Sequence, residues 1–385
     1  MICVAGLDER FLNEPPSRVK IPNIRKLMRE GAVASGVVGV APSDSAPSQI
    51  SLITGVTPAE HGITGYRESA SALKALTLWQ SAARGGLKTA AVYWPVTTGA
   101  DIAFDFPQSS ETQKAHDIQF ESVARKSSPG GVTDSIEKTF PGFEKELWDD
   151  SSSVRAATWL LKTNKVDLLL LQLTEIDSEQ RETGALSIYA RETLENDDEL
   201  IGQLLASVPP GTIVALLSDH GFENENYLVR PRVLLRQGKQ SAPETRVEVE
   251  DGLIGTGDPN VANRLRRLMS DGHRHGIARE VPMDEVKSKA PALGKWIAAF
   301  DTPQNYVASA DDRGPALGAG SHMGVSGLWP GRPGYRSVFV IAGAGIRAGK
   351  LGEIDLLQIA PTLADVIGVK LPLAHKSSLW SSIAR

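Results

Sequence analysis

The sequence predicts a layered α/β fold built on a mostly parallel central sheet. Three observations predict it. Short runs of continuous apolar residues recur through the 385-residue chain, stretches with helical spacing separate them, and acidic residues stand directly after several of the runs. Continuous rather than alternating hydrophobicity marks strands covered on both faces, as in the centre of a parallel sheet. Alternation of such strands with helices gives layers around one core. In these sheets ligand-binding groups collect beyond the carboxyl ends of the strands.

The chain opens with the run Ile2–Leu7, which ends at Asp8 and reads as the first strand. Pro22–Glu30 reads as a helix, because Pro suits a first turn and Gly31 follows as a stop. Leu87–Tyr93 follows a Gly-Gly break and reads as a strand. Ser153–Lys162 has apolar residues at helical spacing, and Val166–Leu173 is a strand running into Thr174, Glu175, Ile176 and Asp177. Ile188–Ala206 is again helical. Thr212–Leu217 is a strongly apolar strand that runs into Ser218, Asp219, His220 and Gly221. Ser337–Ala342 is the last strand and Leu356–Ile367 the last helix, which Pro361 is expected to bend or shorten.

Two regions interrupt this rhythm. Glu68–Asp150 is polar and loop-rich beyond the strand ending at Tyr93. Residues 222–320 combine a β-like piece, Thr245–Glu250, with a helix, Pro259–Ser270, and Gly-rich loops. The expected organisation is a catalytic core, 1–221 and 321–385, with 222–320 inserted as a smaller α+β cap.

Composition narrows the function. A net charge of −5 with scattered Lys and Arg leaves no basic footprint for a nucleic-acid polymer, though a small phosphate ester fits. The single cysteine, Cys3, allows neither an intrachain disulfide nor a thiolate metal site. The first apolar run is too short for a signal segment, and no run approaches the ~18 residues of a membrane span. A cytoplasmic protein without membrane contact is the expectation, with oligomeric state open.

Among the candidate site residues, Ser45 stands where a loop ends and a helix begins. Pro47 suits the first turn, and Ile50 and Ile53 continue the helical spacing. A hydroxyl at a helix N-terminus meets exposed N–H groups and the positive end of the macrodipole, which favour an anion. It can serve as a nucleophile, above all beside a divalent cation. It can equally be a plain helix cap. Asp219 and His220 share a strand end with Gly221 to permit a tight turn, Asp8 and Asp177 follow two further strands, and His322 sits in a Gly-rich loop. Each alone is also the residue of an ordinary turn. Together they supply the carboxylate, imidazole and hydroxyl groups of two-metal phosphoryl transfer, with cations about 4 Å apart. His273 and His275, flanking Arg274 in the cap, read as members of a solvated loop.

The opening of the chain resembles the type I phosphodiesterase/nucleotide pyrophosphatase family of the alkaline phosphatase superfamily. The resemblance rests on Asp8, on Pro22-Asn23-Ile24-Arg25-Lys26-Leu27, on Ser43 to Gly55, and on Pro58-Ala59-Glu60-His61-Gly62-Ile63. The order Asp8, Ser45, Asp177, Asp219-His220, His322 follows the family order, and the tail from Val338 to Gly368 looks like its last strand and helix. The resemblance implies an alkaline-phosphatase-like fold and a phosphate mono- or diester hydrolase with two zinc ions. It places Ser45 as the nucleophile that becomes a phosphoserine, in the position of the family threonine. One zinc would be held by Asp8, Asp219, His220 and the Ser45 oxygen, and the other by Asp177 and His322.

Three positions depart from the family pattern. Arg181 stands where a ligating histidine is expected, and a permanently protonated guanidinium cannot bind a cation. The second zinc position is then empty, weak or completed by Glu175 or water, with Arg181 free to contact the phosphoryl group. Ser48 replaces an asparagine that contacts a phosphate oxygen and retains one hydroxyl donor. Glu9 replaces a glycine. The stretch Ser45-Ala46-Pro47-Ser48-Gln49 also resembles a sulfatase motif, with Gln49 in place of its arginine. A sulfatase-like or phosphonate hydrolase, or a binding protein degenerate through Arg181, is the alternative reading.

Overall fold

The computed structural model describes residues 1–66, 69–108, 116–145, 147, 149–236 and 246–385. The expected runs form the centre of an eight-stranded sheet: β1 (Ile2–Val4), β2 (Ala32–Ala34), β3 (Thr89–Val92), β4 (Phe104–Phe106), β5 (Leu168–Leu173), β6 (Val214–Leu217), β7 (Phe339–Ala342) and β8 (Gly349–Leu351). Their spatial order is β8-β2-β7-β6-β1-β5-β3-β4. All neighbours run parallel except at β7, which is antiparallel to both β2 and β6.

Successive residues of a strand face opposite sides of the sheet, so each strand feeds two cores. Val4, Leu173 and Leu216 pack with α1 (Glu9–Asn13), α2 (Pro22–Glu30), α4 (Asp150–Thr163) and α6 (Ile188–Leu205) on one face. Cys3, Leu170 and Leu217 pack on the other against α3 (Ser45–Thr54) and α8 (Ile359–Ile367). Pro361 falls in the first turn of α8, where its missing N–H is no loss. The expected helix therefore divides into a 3-10 turn, Leu356–Gln358, followed by α8.

Register fixes the functional edge. Cys3 pairs with Leu217 and Val4 with Leu173, so the carboxyl ends of β1, β5 and β6 lie side by side. The loop after β6 and the helix α5 (Glu175–Thr183) after β5 therefore start at one edge. That edge also receives the start of α3.

Between residues 222 and 320 the chain builds separate sheets. Val247–Glu250, Leu253–Thr256, Ala298–Asp301 and Arg279–Val281 form a four-stranded antiparallel sheet, against which α7 (Pro259–Ser270) packs Val261 and Leu265. Tyr227–Val229 lies between Tyr306–Ala308 and Leu317–Ala319 in a second sheet. Thr245, the first residue of the expected β-like piece, lies outside the described residues. Among the described residues, the stretch read as loop-rich after Tyr93 holds two helices, His116–Lys126 and Val132–Thr139. The second buries only Val132 and Ile136 of apolar type, too few for a periodic pattern. No helix among the described residues is long and apolar enough to cross a membrane.

A buried acid on the edge strand gives a test of this packing. Burial pushes the Asp105 carboxyl up to about 7 against a weaker opposing hydrogen bond from Thr97, and its Oδ1 has no hydrogen-bond partner. Between the ordinary carboxylate value and about pH 7 the folded chain keeps a proton that the unfolded chain has lost. Stability from this group is complete below that window and falls as pH rises through it. Asp105→Asn, neutral at every pH, should remove a loss of order 2–4 kcal/mol. Urea midpoints of variant and parent at pH 5 and pH 8 check this: the variant's gain is larger at pH 8 than at pH 5.

Candidate active site

The site is assembled where three strand ends meet one helix start. Gly55, at φ +73, closes α3, and the turn beyond it is held by His61. Burial lowers the His61 pKa to about 4, leaving the ring neutral. Its Nδ1 accepts from Ile63 N–H (3.2 Å), so Nε2 carries the proton and lies 3.0 Å from Ser51 Oγ and 3.2 Å from Pro47 O. The first turn of α3 is thereby fixed from below.

Ser45 is the first residue of α3, and Asp44 precedes it without making a side-chain cap bond. Its hydroxyl donates to His220 Nε2 at 3.0 Å. The His220 orientation is set by its other nitrogen, which lies 3.0 Å from Gly221 O. A carbonyl only accepts, so Nδ1 carries a proton, and in the tautomer that leaves Nε2 bare its lone pair faces Ser45. That lone pair can take the hydroxyl proton or hold a cation beside it.

Asp219 and Asp177 flank the imidazole, with one oxygen of each 3.6 Å from His220 Nε2. Asp219 is fully buried and accepts from Gly6 N–H (3.0 Å), its neighbour His220 N–H (3.0 Å) and Gln49 Nε2 (2.8 Å). Asp177 lies in the first turn of α5. Arg181, one turn on, grips both its oxygens at 2.8 and 3.2 Å and also donates to Ser326 Oγ at 2.7 Å. The guanidinium lies over the Phe222 ring, 5.4 Å from its centroid. Ser45 and Asp177 share the wall of a cleft of about 340 Å³ that Tyr93, Gln108, Gln172 and Ser178 also line.

Two expected ligands stand elsewhere. Asp8 is buried but serves as the N-cap of α1: it accepts from Arg10 N–H (2.9 Å), from the Arg10 guanidinium (2.7 and 2.9 Å) and from Phe222 N–H (3.2 Å). Its oxygens are thus committed to an ion pair and a helix cap. The position between the two site acids belongs to the backbone of Gly6. At φ +71, a Cβ there would come within 3.1 Å of Asp177 Oδ1, while the Gly6 carbonyl accepts from Gln180 Nε2 at 2.8 Å. His322 is exposed, with Nδ1 3.5 Å from Glu225, because Glu225 and Asn226 bind the backbone of Gly320, Ser321 and His322. The loop instead delivers Ser326 to Arg181. Ser48 is fully buried, its hydroxyl without a hydrogen-bond partner, so it presents no surface to a ligand. In the cap, His275 faces Asp271 at 3.5 Å, and the His273 side chain lies outside what is described.

The two implied cation positions fare differently. Ser45 Oγ, His220 Nε2 and Asp219 Oδ1 offer hydroxyl, imidazole and carboxylate with edges of 3.0 and 3.6 Å, near the roughly 3.3 Å between ligands of tetrahedral zinc. Two edges have the span a cation needs, while Asp219 Oδ1 also carries the N–H groups of Gly6 and His220. The second position does not fit: a guanidinium already neutralises Asp177, and His322 points away.

Gln49, Gly6 and Ser326 were not legible as site residues. Gln49 carried a signal, since it follows Ser45 by one helical turn and faces the same way. The spacing of Asp8 and Arg10 likewise marks a capped, ion-paired turn.

The sequence matches the family model described as type I phosphodiesterase / nucleotide pyrophosphatase over residues 2–311. No curated protein sequence matches. Among solved structures, murine ectonucleotide pyrophosphatase / phosphodiesterase 5 superposes with a TM-score of 0.64 at 14% identity, covering 99% of this chain and 97% of that one. An inactive form of the murine protein in complex with AMP gives the same values. Its human counterpart superposes at 0.63 with 16% identity, covering 98% and 96%. At such identity the likeness speaks for the fold.

Proposed function

Because this chain belongs to the type I phosphodiesterase / nucleotide pyrophosphatase family and is a hydrolase of that family, we propose that it cleaves phosphate esters by attack of Ser45 on phosphorus. The observation that carries the reading is the 3.0 Å contact between Ser45 Oγ and His220 Nε2 at the start of α3, beside a polar cleft. The AMP bound to the murine neighbour makes nucleotide-type diesters the first substrates to consider.

Ser45 Oγ gives its proton to solvent and attacks in line, forming an Oγ–P bond as the bond from phosphorus to the leaving oxygen breaks. The leaving alcohol or phosphate takes a proton from solvent. Water then attacks phosphorus from the vacated side, the Oγ–P bond breaks, and the serine hydroxyl is restored. Asp219 and His220, with Ser45 Oγ, would hold one zinc ion, which when bound lowers the hydroxyl pKa and neutralises phosphoryl charge. Gln49 and Gly6 N–H hold Asp219 in place for that task. Arg181 supplies a fixed positive charge at the place the resemblance assigns to a second zinc. Its exposed edge can donate to a non-bridging oxygen, the planar recognition for which guanidinium is suited.

A chromogenic substrate panel tests this reading. A nucleotide diester should be hydrolysed with added zinc and a sulfate ester should not. Sulfate cleavage, or no hydrolysis of any phosphate ester, would overturn it.

A further inference from the structure

Behind the active edge, three acids from three helices converge. Asp150 begins α4, Glu175 begins α5, and Asp197 lies within α6. One carboxylate oxygen from each lies within 4.8 Å of the others. Asp150 and Glu175 are tied by backbone bonds: Asp150 accepts from Thr174 N–H (2.8 Å) and Glu175 N–H (3.1 Å), and Asp150 N–H donates to Glu175 Oε1 (2.8 Å). Asp197 differs. It is 0% exposed, and no donor from outside the triad reaches its oxygens, whose one hydrogen-bonding neighbour is the Asp150 carboxyl.

Buried carboxylates without donors are costly unless something positive joins them. The charges acting on Asp197 are Asp150 and Glu175, both of like sign. Shared protons would relieve part of this, and burial with the Glu175 charge does push Asp150 up to about 7. One proton between two carboxyls still leaves an Asp197 oxygen bare. Outside, Glu175 opens on a cleft of about 190 Å³ whose walls include Glu179, Glu182 and Thr193. That acidic mouth concentrates cations beside Glu175.

We propose that Asp150, Glu175 and Asp197 bind one hard divalent cation, Ca²⁺, Mg²⁺ or Mn²⁺, separate from the Ser45 centre. All-oxygen carboxylate donors suit these ions rather than zinc. The bound ion pins the start of α5 to α4 and α6, and α5 carries Asp177 and Arg181. The site does not depend on the hydrolase reading, because its donors are not those of the Ser45 centre.

The test strips the full chain with chelator and follows thermal unfolding with and without millimolar Ca²⁺, Mg²⁺ or Mn²⁺. Wild type should gain roughly 3–5 °C at a hundredfold excess over Kd with at least one of them. The gain should persist in Ser45→Ala/His220→Ala, which lacks two donors of the other centre. Asp197→Asn and Glu175→Gln should abolish it, and without ions Asp197→Asn should match or exceed the wild-type melting temperature. Glu175→Gln keeps an acceptor for Asp150 N–H and carries the test should Asp197→Asn fail to fold. No gain in wild type with any of the three ions would leave a proton-sharing triad and overturn the proposal. A gain of equal size in both triad variants would place the ion elsewhere and overturn it too.

Discussion

Ser45→Ala is expected to lower kcat/KM by at least about 1,000-fold while the melting temperature moves by no more than about 2 °C. The large effect follows because this residue supplies the attacking oxygen. Loss of a nucleophile removes the covalent step itself, and the remaining groups retain only binding and charge neutralisation. The small stability effect follows from the local structure. The hydroxyl makes a side-chain hydrogen bond to His220, and the helix cap position belongs to Asp44. Alanine at the first helical position keeps α3 intact. Steady-state kinetics and thermal unfolding on the same preparation check both halves. Retained turnover would remove Ser45 from the mechanism.

Replacement of Arg181 is expected to be the next most damaging change. Arg181→Ala should lower kcat/KM by about 100–1,000-fold, as loss of a charged group that stabilises transition-state charge does. It leaves Asp177 without a counter-charge, 3.6 Å from His220 Nε2, and releases Ser326. Arg181→Lys should recover only part of the loss, because an ammonium cannot bridge Asp177, Ser326 and a phosphoryl oxygen in one plane. Arg181→His should not create a second zinc position. A second position needs a further donor, and His322 is held by Glu225 through the backbone of its loop. Zinc content and rate measured together decide this. A rise in both for the histidine variant would show that the arginine blocks an intact site.

Much of the scaffold was legible because it depends on local pattern. The runs ending at Leu173 and Leu217 could only be buried strands, and the parallel register that aligns their ends with Val4 follows from that assignment. Ser45 and His220 were legible for the same reason: one begins a helix, the other ends a strand at the same edge. Asp8 shows where strand-end logic stops. It stands four residues past the last residue of β1, beyond the left-handed turn at Gly6, and Arg10 captures it as a helix cap. Which acid faces a site then depends on a turn geometry that no periodicity reports. His322 shows a second limit, since a Gly-rich loop takes its course from long-range bonds to Glu225 and Asn226. Gln49 was hidden by the sulfatase comparison, in which its position marked only a missing arginine. The acidic triad was invisible because its members lie on three separate helices.

The central claim is that Ser45 carries the transferred group, and mass spectrometry of the enzyme quenched during turnover of a slow phosphate ester tests it most directly. The expected result is an added mass equal to the transferred phosphoryl or nucleotidyl group on the peptide containing Ser45, absent in Ser45→Ala. Rapid turnover with an unmodified Ser45 peptide, or the adduct on any other residue, would contradict it.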